Sequence, residues 1–368
     1  MAENLTESIR RLGWDMLVGL QGTNKSSDGT ILSSLSITIA IAMLAGAAGP
    51  EQKAKLCAKM GISDPANLAD QFATALQTLQ TNAGHSLEIA NKVFVNDTIV
   101  IRDSYVKFLD SLTAGISSYP DLSKEAHTIN AWVSEHTRGM ISQIVTSSLL
   151  KDAQTLLINA LAFKGRWQKA FDPKATIKDY PFLSSQDTPR TVEMMFLRQF
   201  KVLLADHDNY TAIRLPYKQP DASQSQIYFE AYLPHPNTPL NDILLTLSHS
   251  EGLAAFQQTR LASLGLPKFS IETSQDVTFA LKQLGYPLDT NWQETIADIR
   301  GGSRLANLVI HKAVIEVDEE GTVAAAATAL VASRARVKVE SRSVMFDRAF
   351  AYAVVDDEEM TYFTGVYG

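Results

Sequence analysis

The chain holds a single cysteine, Cys57, among 368 residues. An internal disulfide is therefore impossible, and so is a zinc site built from several thiolates. Such cysteine usage suits a reducing compartment. Long apolar runs are missing too. No segment approaches the roughly 20 apolar residues that a membrane-spanning helix requires, so no membrane partner is expected. Met1 to Thr23 lacks the continuous apolar stretch of a secretory signal. Its apolar residues Leu5, Ile9, Leu12, Met16, Leu17 and Leu20 recur at helical spacing, which predicts an amphipathic helix docked on a core. A cytoplasmic location is the expectation, with export by an unconventional route as the alternative. The N-x-Ser/Thr sequons at Asn4, Asn24, Asn96 and Asn209 then read as chance occurrences.

Catalytic signatures are equally scarce. There is no G-x-S-x-G elbow, no P-loop, no G-x-G-x-x-G after a strand and no H-E-x-x-H. His207 and His235 lie in polar or proline-containing surroundings without ligand spacing and read as solvated loop histidines. Asp206-His207-Asp208 is the nearest approach to a metal-binding cluster, and no metal or other cofactor is expected. The net charge of −7 favours solubility and gives no reason to expect nucleic acid as a partner. No linker, low-complexity stretch or internal repeat divides the chain. Residues 1–368 are therefore read as one large domain, although length alone favours two.

The apolar patterning that is present places helices early and strands late. Ile37 to Ala45 and Glu51 to Met60 read as short helices separated by Gly46, Gly49 and Pro50. Leu68, Phe72, Leu76 and Leu79 continue the helical spacing. Leu87, Ile89, Asn91, Val93 and Val95 then alternate with the period of a strand. Ile129 to Val145 reads as mostly helical, with Trp132 and Val133 on the buried face. Apolar β-type runs follow at Leu156 to Ala162, Ile227 to Leu233, Leu308 to Val317, Ala349 to Val355 and Thr361 to Tyr367. Few βαβ alternations occur, so the expected class is α+β.

The most unusual stretch is Val317 to Ser333. Asp318, Glu319 and Glu320 are followed by Gly321, then by the twelve residues Thr322 to Ser333 without charge, proline or any side chain larger than leucine. The basic residues Arg334, Arg336 and Lys338 come directly after. One reading is a short alanine-rich surface helix capped by Thr322. The other is a segment that moves from solvent into a sheet, with protease bait at its far end.

The surrounding motifs favour the second. The run from His311 to Thr328 resembles the hinge of the serpins, a family of suicide protease inhibitors. Asn159-Ala-Leu-Ala-Phe-Lys-Gly-Arg-Trp167 with Phe171, Val192-Glu-Met-Met195, Leu215-Pro-Tyr217, Leu266-Pro-Lys-Phe269, Phe346-Asp-Arg-Ala-Phe350 and Phe363-Thr-Gly-Val366 resemble further segments of that family, in family order. The resemblance implies helices packed on a large mixed sheet and an exposed reactive-centre loop at about residues 319–342. It implies a hinge of Glu319, Glu320, Gly321, Thr322, Ala324, Ala326 and Thr328, the last four small and uncharged as insertion demands. It places Ser33, Ser36, Asn159 and His311 in a polar cluster beneath the parting strands, and Trp167, Lys268 and Glu319 at the top of the sheet, with a Lys268–Glu319 ion pair expected.

The scissile bond is less determined. Counting from Gly321 points to Ala335, counting back from Phe346 lands near Lys338, and pocket chemistry favours Arg334 or Arg336. Trypsin-like serine proteases are the first expected targets, papain-like cysteine proteases the second. A heparin site is not expected, because Leu68 to Asn82 contains no Lys or Arg, and a monomer is. A non-inhibitory carrier or chaperone is the rival reading. Two departures from the family pattern, Ser34 and Ala349 in place of prolines, put local rigidity in question.

Overall fold

The computed structural model describes residues 4–20, 28–72, 76, 87–219, 225–249, 255–288, 297–298, 306–321 and 342–368. Helix α1 (Leu5–Leu20) buries Leu5, Ile9, Leu12, Met16 and Leu17, as their spacing predicts. Helix α2 (Ser34–Ala47) is apolar all round, and every residue but Gly46 is buried, which marks it as a central helix. It starts three residues before the predicted Ile37 because the Ser33 hydroxyl accepts from the Ser36 N–H at 3.2 Å and caps the first turn. Helix α3 (Pro50–Lys59) opens on a proline, where the missing N–H costs nothing. Further helices are α4 (Asp103–Ser111), α5 (Ala126–His136), α6 (Leu240–His249) and α7 (Thr278–Gln283).

The helix expected to run to Val145 stops at His136. Arg138 and Gly139 take φ values of 48° and 79°, and the Gly139 N–H turns back to the Ser134 carbonyl, a left-handed termination. Asn130 Oδ1 then accepts from the backbone N–H groups of Ile144 and Val145, which holds that segment non-helical beside α5. Trp132 is only half-buried, whereas Val133 is buried as expected.

Sixteen strands are described: β1 (Gly29–Leu32), β2 (Leu87–Asn96), β3 (Val100–Ile101), β4 (Gly115–Tyr119), β5 (Ala153–Phe163), β6 (Ile177–Leu183), β7 (Pro189–Asp206), β8 (Tyr210–Pro216), β9 (Ile227–Pro234), β10 (Gln257–Pro267), β11 (Phe269–Asp276), β12 (Ala297–Asp298), β13 (Ala306–Val317), β14 (Ser343–Met345), β15 (Phe350–Asp356) and β16 (Thr361–Tyr367). A nine-stranded sheet follows the order β1-β16-β15-β9-β8-β7-β10-β14, with β6 paired to β7. A five-stranded sheet has the order β11-β13-β5-β2-β4, and β12 pairs with β3. Helices packed on large mixed sheets make this the expected α+β class.

The five-stranded sheet positions the site. β13 runs parallel to β5 with His311 opposite Asn159, and β2 runs antiparallel to β5 with Asn91 opposite Asn159. Three polar residues therefore stand side by side on adjacent strands, over α2. In the larger sheet, β15 and β16 are buried along their whole length. The two departures noted in the sequence have local partners. Ser34 Oγ donates to the Thr361 carbonyl at 3.3 Å, and the Ala349 N–H donates to the Leu183 carbonyl at 2.9 Å, a bond that proline cannot form. Among the described residues, no helix is long and apolar enough to cross a membrane.

Candidate functional site

Ser33, Ser36, Asn159 and His311 are all fully buried and joined in one network. Ser36 Oγ donates to Asn159 Oδ1 at 2.5 Å, and Asn159 Nδ2 donates back to the Ser36 carbonyl at 2.6 Å. The same amide group reaches Asn91 Oδ1 at 2.7 Å. His311 closes the circuit: the Ser33 backbone N–H donates to Nε2 at 3.1 Å, and Nδ1 lies 3.0 Å from Asn159 Oδ1. Because Oδ1 only accepts, the proton sits on Nδ1 and the ring is neutral. Burial explains this, drawing the imidazole from 6.5 down to about 3. The network ties α2 to β2, β5 and β13 together, so parting β5 from β13 breaks the His311–Asn159 bond.

At the end of β13, residues 318–321 are clamped to the segment after β5. Trp167 donates through its backbone N–H to the Glu320 carbonyl at 2.9 Å and through Nε1 to the Asp318 carbonyl at 2.8 Å. The Phe171 N–H donates to the Glu319 carbonyl at 2.7 Å. The Trp167 ring is itself fixed by stacking on Tyr217, centroids 4.5 Å apart. Asp318 Oδ1 accepts from the N–H groups of Glu320 and Gly321, closing a tight turn. Gly321 is required there: its φ is 142°, and a Cβ would lie 2.1 Å from the Gly165 carbonyl oxygen.

Lys268 Nζ lies 3.0 Å from Glu319 Oε2, so the two residues are paired. The other carboxylate oxygen of Glu319 accepts from Thr176 Oγ1 at 2.7 Å. Burial works against the Glu319 charge, but the bonds from Thr176 and Lys268 outweigh it and hold the carboxyl below its usual range. The same bond raises the Lys268 ammonium.

Thr322, Ala324, Ala326 and Thr328, like Arg334, Ala335, Arg336 and Lys338, lie outside the described residues. Ahead of β14, the Arg342 guanidinium grips Asp206 by two bonds of 2.6 Å. β14 then runs parallel to β10. Asp206 is thus engaged by Arg342, His207 stacks on Tyr210 at 4.7 Å, and His235 Nε2 faces Thr211 Oγ1 at 3.3 Å. Among the described residues, no group of three or more His, Cys, Asp or Glu is placed to hold a metal.

Several members of these networks escaped sequence reasoning. Asn91 left a signal, as the one polar residue in an otherwise apolar alternation. Asp318 and Thr176 act through a backbone carbonyl, a carboxylate that turns the chain and a single hydroxyl, which leave no local pattern. Asp206 and Tyr217 stand in segments singled out from the sequence, but their pairing with Arg342 and the Trp167 ring was not.

The family model described as Serpin (serine protease inhibitor) matches residues 7–367. Antitrypsin of Bombyx mori is 29% identical over 356 residues, covering 94% of this chain and 89% of that protein. The Ixodes ricinus protein Iris is 31% identical over 343 residues, covering 90% and 89%. Among solved structures, Arabidopsis AtSerpin1 in its native stressed conformation superposes with a TM-score of 0.85 at 22% identity, covering 99% and 98% of the two chains. The thermophilic serpin Tengpin in its native state gives a TM-score of 0.81 at 24% identity, covering 100% of this chain and 95% of Tengpin. At such identities the structures speak for the fold alone.

Proposed function

The chain belongs to the serpin family, a protease inhibitor and not an enzyme, and from that premise we propose that it inhibits by trapping its target as a covalent acyl-enzyme. The target's nucleophile attacks a carbonyl carbon in the segment 334–338, the amine side of the bond leaves as a new N-terminus, and an ester joins inhibitor to protease. Residues after Gly321 then enter the five-stranded sheet between β13 and β5 as a new strand. Twelve residues at about 3.3 Å each carry the tethered protease roughly 40 Å. One net ladder of new hydrogen bonds, at roughly 0.5–1.5 kcal/mol each, supplies around 10 kcal/mol. That is of the order of a whole domain's stability and suffices to distort the bound active site, so deacylation stalls.

The observation that carries this reading is the placement of the clamp. Residues 318–321 are turned and held at the end of the β13–β5 pair, and the chain that follows is small and uncharged from Thr322 onward. A trypsin-like serine protease suits cleavage after Arg334 or Arg336, hinge length alone points to Ala335, and a papain-like cysteine protease that accepts basic residues is the second class of target. Trypsin mixed with the protein should give a complex that survives denaturing electrophoresis. Thr322→Arg should convert trapping into simple cleavage. A cleaved product with trypsin left fully active in the parent chain would instead support the non-inhibitory carrier.

A further inference from the structure

Beside the hinge clamp lies a cavity of about 500 Å³, within the size range of small-molecule sites. Its wall is apolar at Phe171, Leu197, Phe200 and Leu215. Its charged residues are all of one sign: Lys169, Lys201 and Arg214 line it, and none of the described lining residues is acidic. That is unexpected in a chain whose net charge is −7. Arg214 is already compensated, being paired with the fully buried Glu230 and stacked on Tyr228 and Phe256. The two lysines are exposed, and among the described residues neither meets an acid. Lys201 Nζ meets the neutral Gln258 Oε1 at 3.1 Å, and Lys169 Nζ sits 5.3 Å from the centre of the Phe200 ring. Partial burial lowers the pKa of Lys169, although the residue as a whole remains exposed to solvent.

We propose that this cavity binds a small amphipathic monocarboxylate, its apolar body against Phe171, Phe200 and Leu215 and its carboxylate held by Lys169 and Lys201. An apolar wall alone accepts any hydrophobe; the two lysines, which meet no acid among the described residues, select an anion through charge-assisted hydrogen bonds. The position of the cavity gives occupancy a consequence, one that rests on the loop-insertion reading above. Trp167 and Phe171 belong to the cavity wall, and their N–H groups hold the Glu320 and Glu319 carbonyls. A ligand seated against these two side chains favours the clamped hinge over the released one and so slows insertion relative to deacylation.

Isothermal titration of the full chain with decanoate and with decanol separates charge from apolar burial. Decanoate should bind once per chain and about tenfold or more tightly than decanol. Lys169→Glu and Lys201→Glu should each weaken decanoate by about tenfold and leave decanol unchanged, and Lys169→Arg should retain decanoate. No decanoate binding, equal affinity for the two probes, or parallel loss of both probes in both charge-reversal variants overturns the site. Saturating decanoate should also raise the number of chains consumed per trypsin molecule inactivated, by about twofold or more. An unchanged ratio in a chain that does bind decanoate overturns the coupling to the hinge. A chain that never traps trypsin refutes loop insertion instead, and the calorimetry still decides the site.

Discussion

Replacing His311 with glutamine tests whether the buried cluster fixes the ring in its neutral form. In the folded chain the imidazole stays neutral down to about pH 3, against 6.5 in the unfolded chain, because burial disfavours the cation and a proton on Nε2 would confront the Ser33 N–H. Between those values the unfolded chain binds more protons than the folded one. The contribution is thus fully present above pH 6.5 and is lost as pH falls toward 3. The loss is about 1.4 kcal/mol per pH unit below 6.5, hence about 2 kcal/mol on going from pH 7 to pH 5. At pH 7, His311→Gln removes the donor to Asn159 Oδ1, at a cost of about 1–2 kcal/mol. The variant has no ring to protonate, so the gap between wild type and His311→Gln should close or reverse by pH 5. Urea unfolding of both proteins at pH 7, 6 and 5 gives the gap directly. A gap of the same size at pH 7 and pH 5 refutes the neutral, buried ring.

Asp356 should act in the opposite direction. Burial pushes its carboxyl up to about 6 despite bonds from the Tyr362 hydroxyl and two backbone N–H groups, so the folded chain holds the extra proton between about pH 6 and 3.8 and gains stability as pH falls through that window. Relative to Asp356→Asn, the wild type should gain about 1 kcal/mol in urea unfolding between pH 7 and pH 5. Gly321→Ala should force residues 318–321 off the Trp167 segment, given the 2.1 Å approach of its Cβ to the Gly165 carbonyl; amide exchange at Trp167 and Phe171 should quicken by about tenfold or more. Lys268→Met should shift urea stability by no more than about 1 kcal/mol, because the Lys268 side chain is 39% exposed and its ion pair is screened by water, while Thr176 still holds Glu319.

Elements written in a local period could be read directly. The face of α1 and the apolar runs of β15 and β16 are of this kind. β7 could not, since its eighteen residues are broken by Arg198 and Gln199. There Gln199 takes a left-handed φ of 46°, and the pairing skips a residue on each strand between Phe200–Leu261 and Arg198–Ser263. β1 is four residues long and pairs with residues more than three hundred positions away, Gly29 against Tyr367. The polar cluster was placed by resemblance; its hydrogen bonds join α2 to β5 and β13, and Asn91 enters only through strand register. The clamp was the hardest part to anticipate: Trp167 and Phe171 bind backbone carbonyls, and every residue has one.

The pairing of β13 with β5 has a directional consequence. These neighbours point the same way, which gives slanted bonds and a slightly weaker ladder per residue. A strand that doubles back after Gly321 would run against both. One like-pointing seam would thereby be exchanged for two counter-running ones, and the only like-pointing neighbours left in that sheet would be β2 and β4.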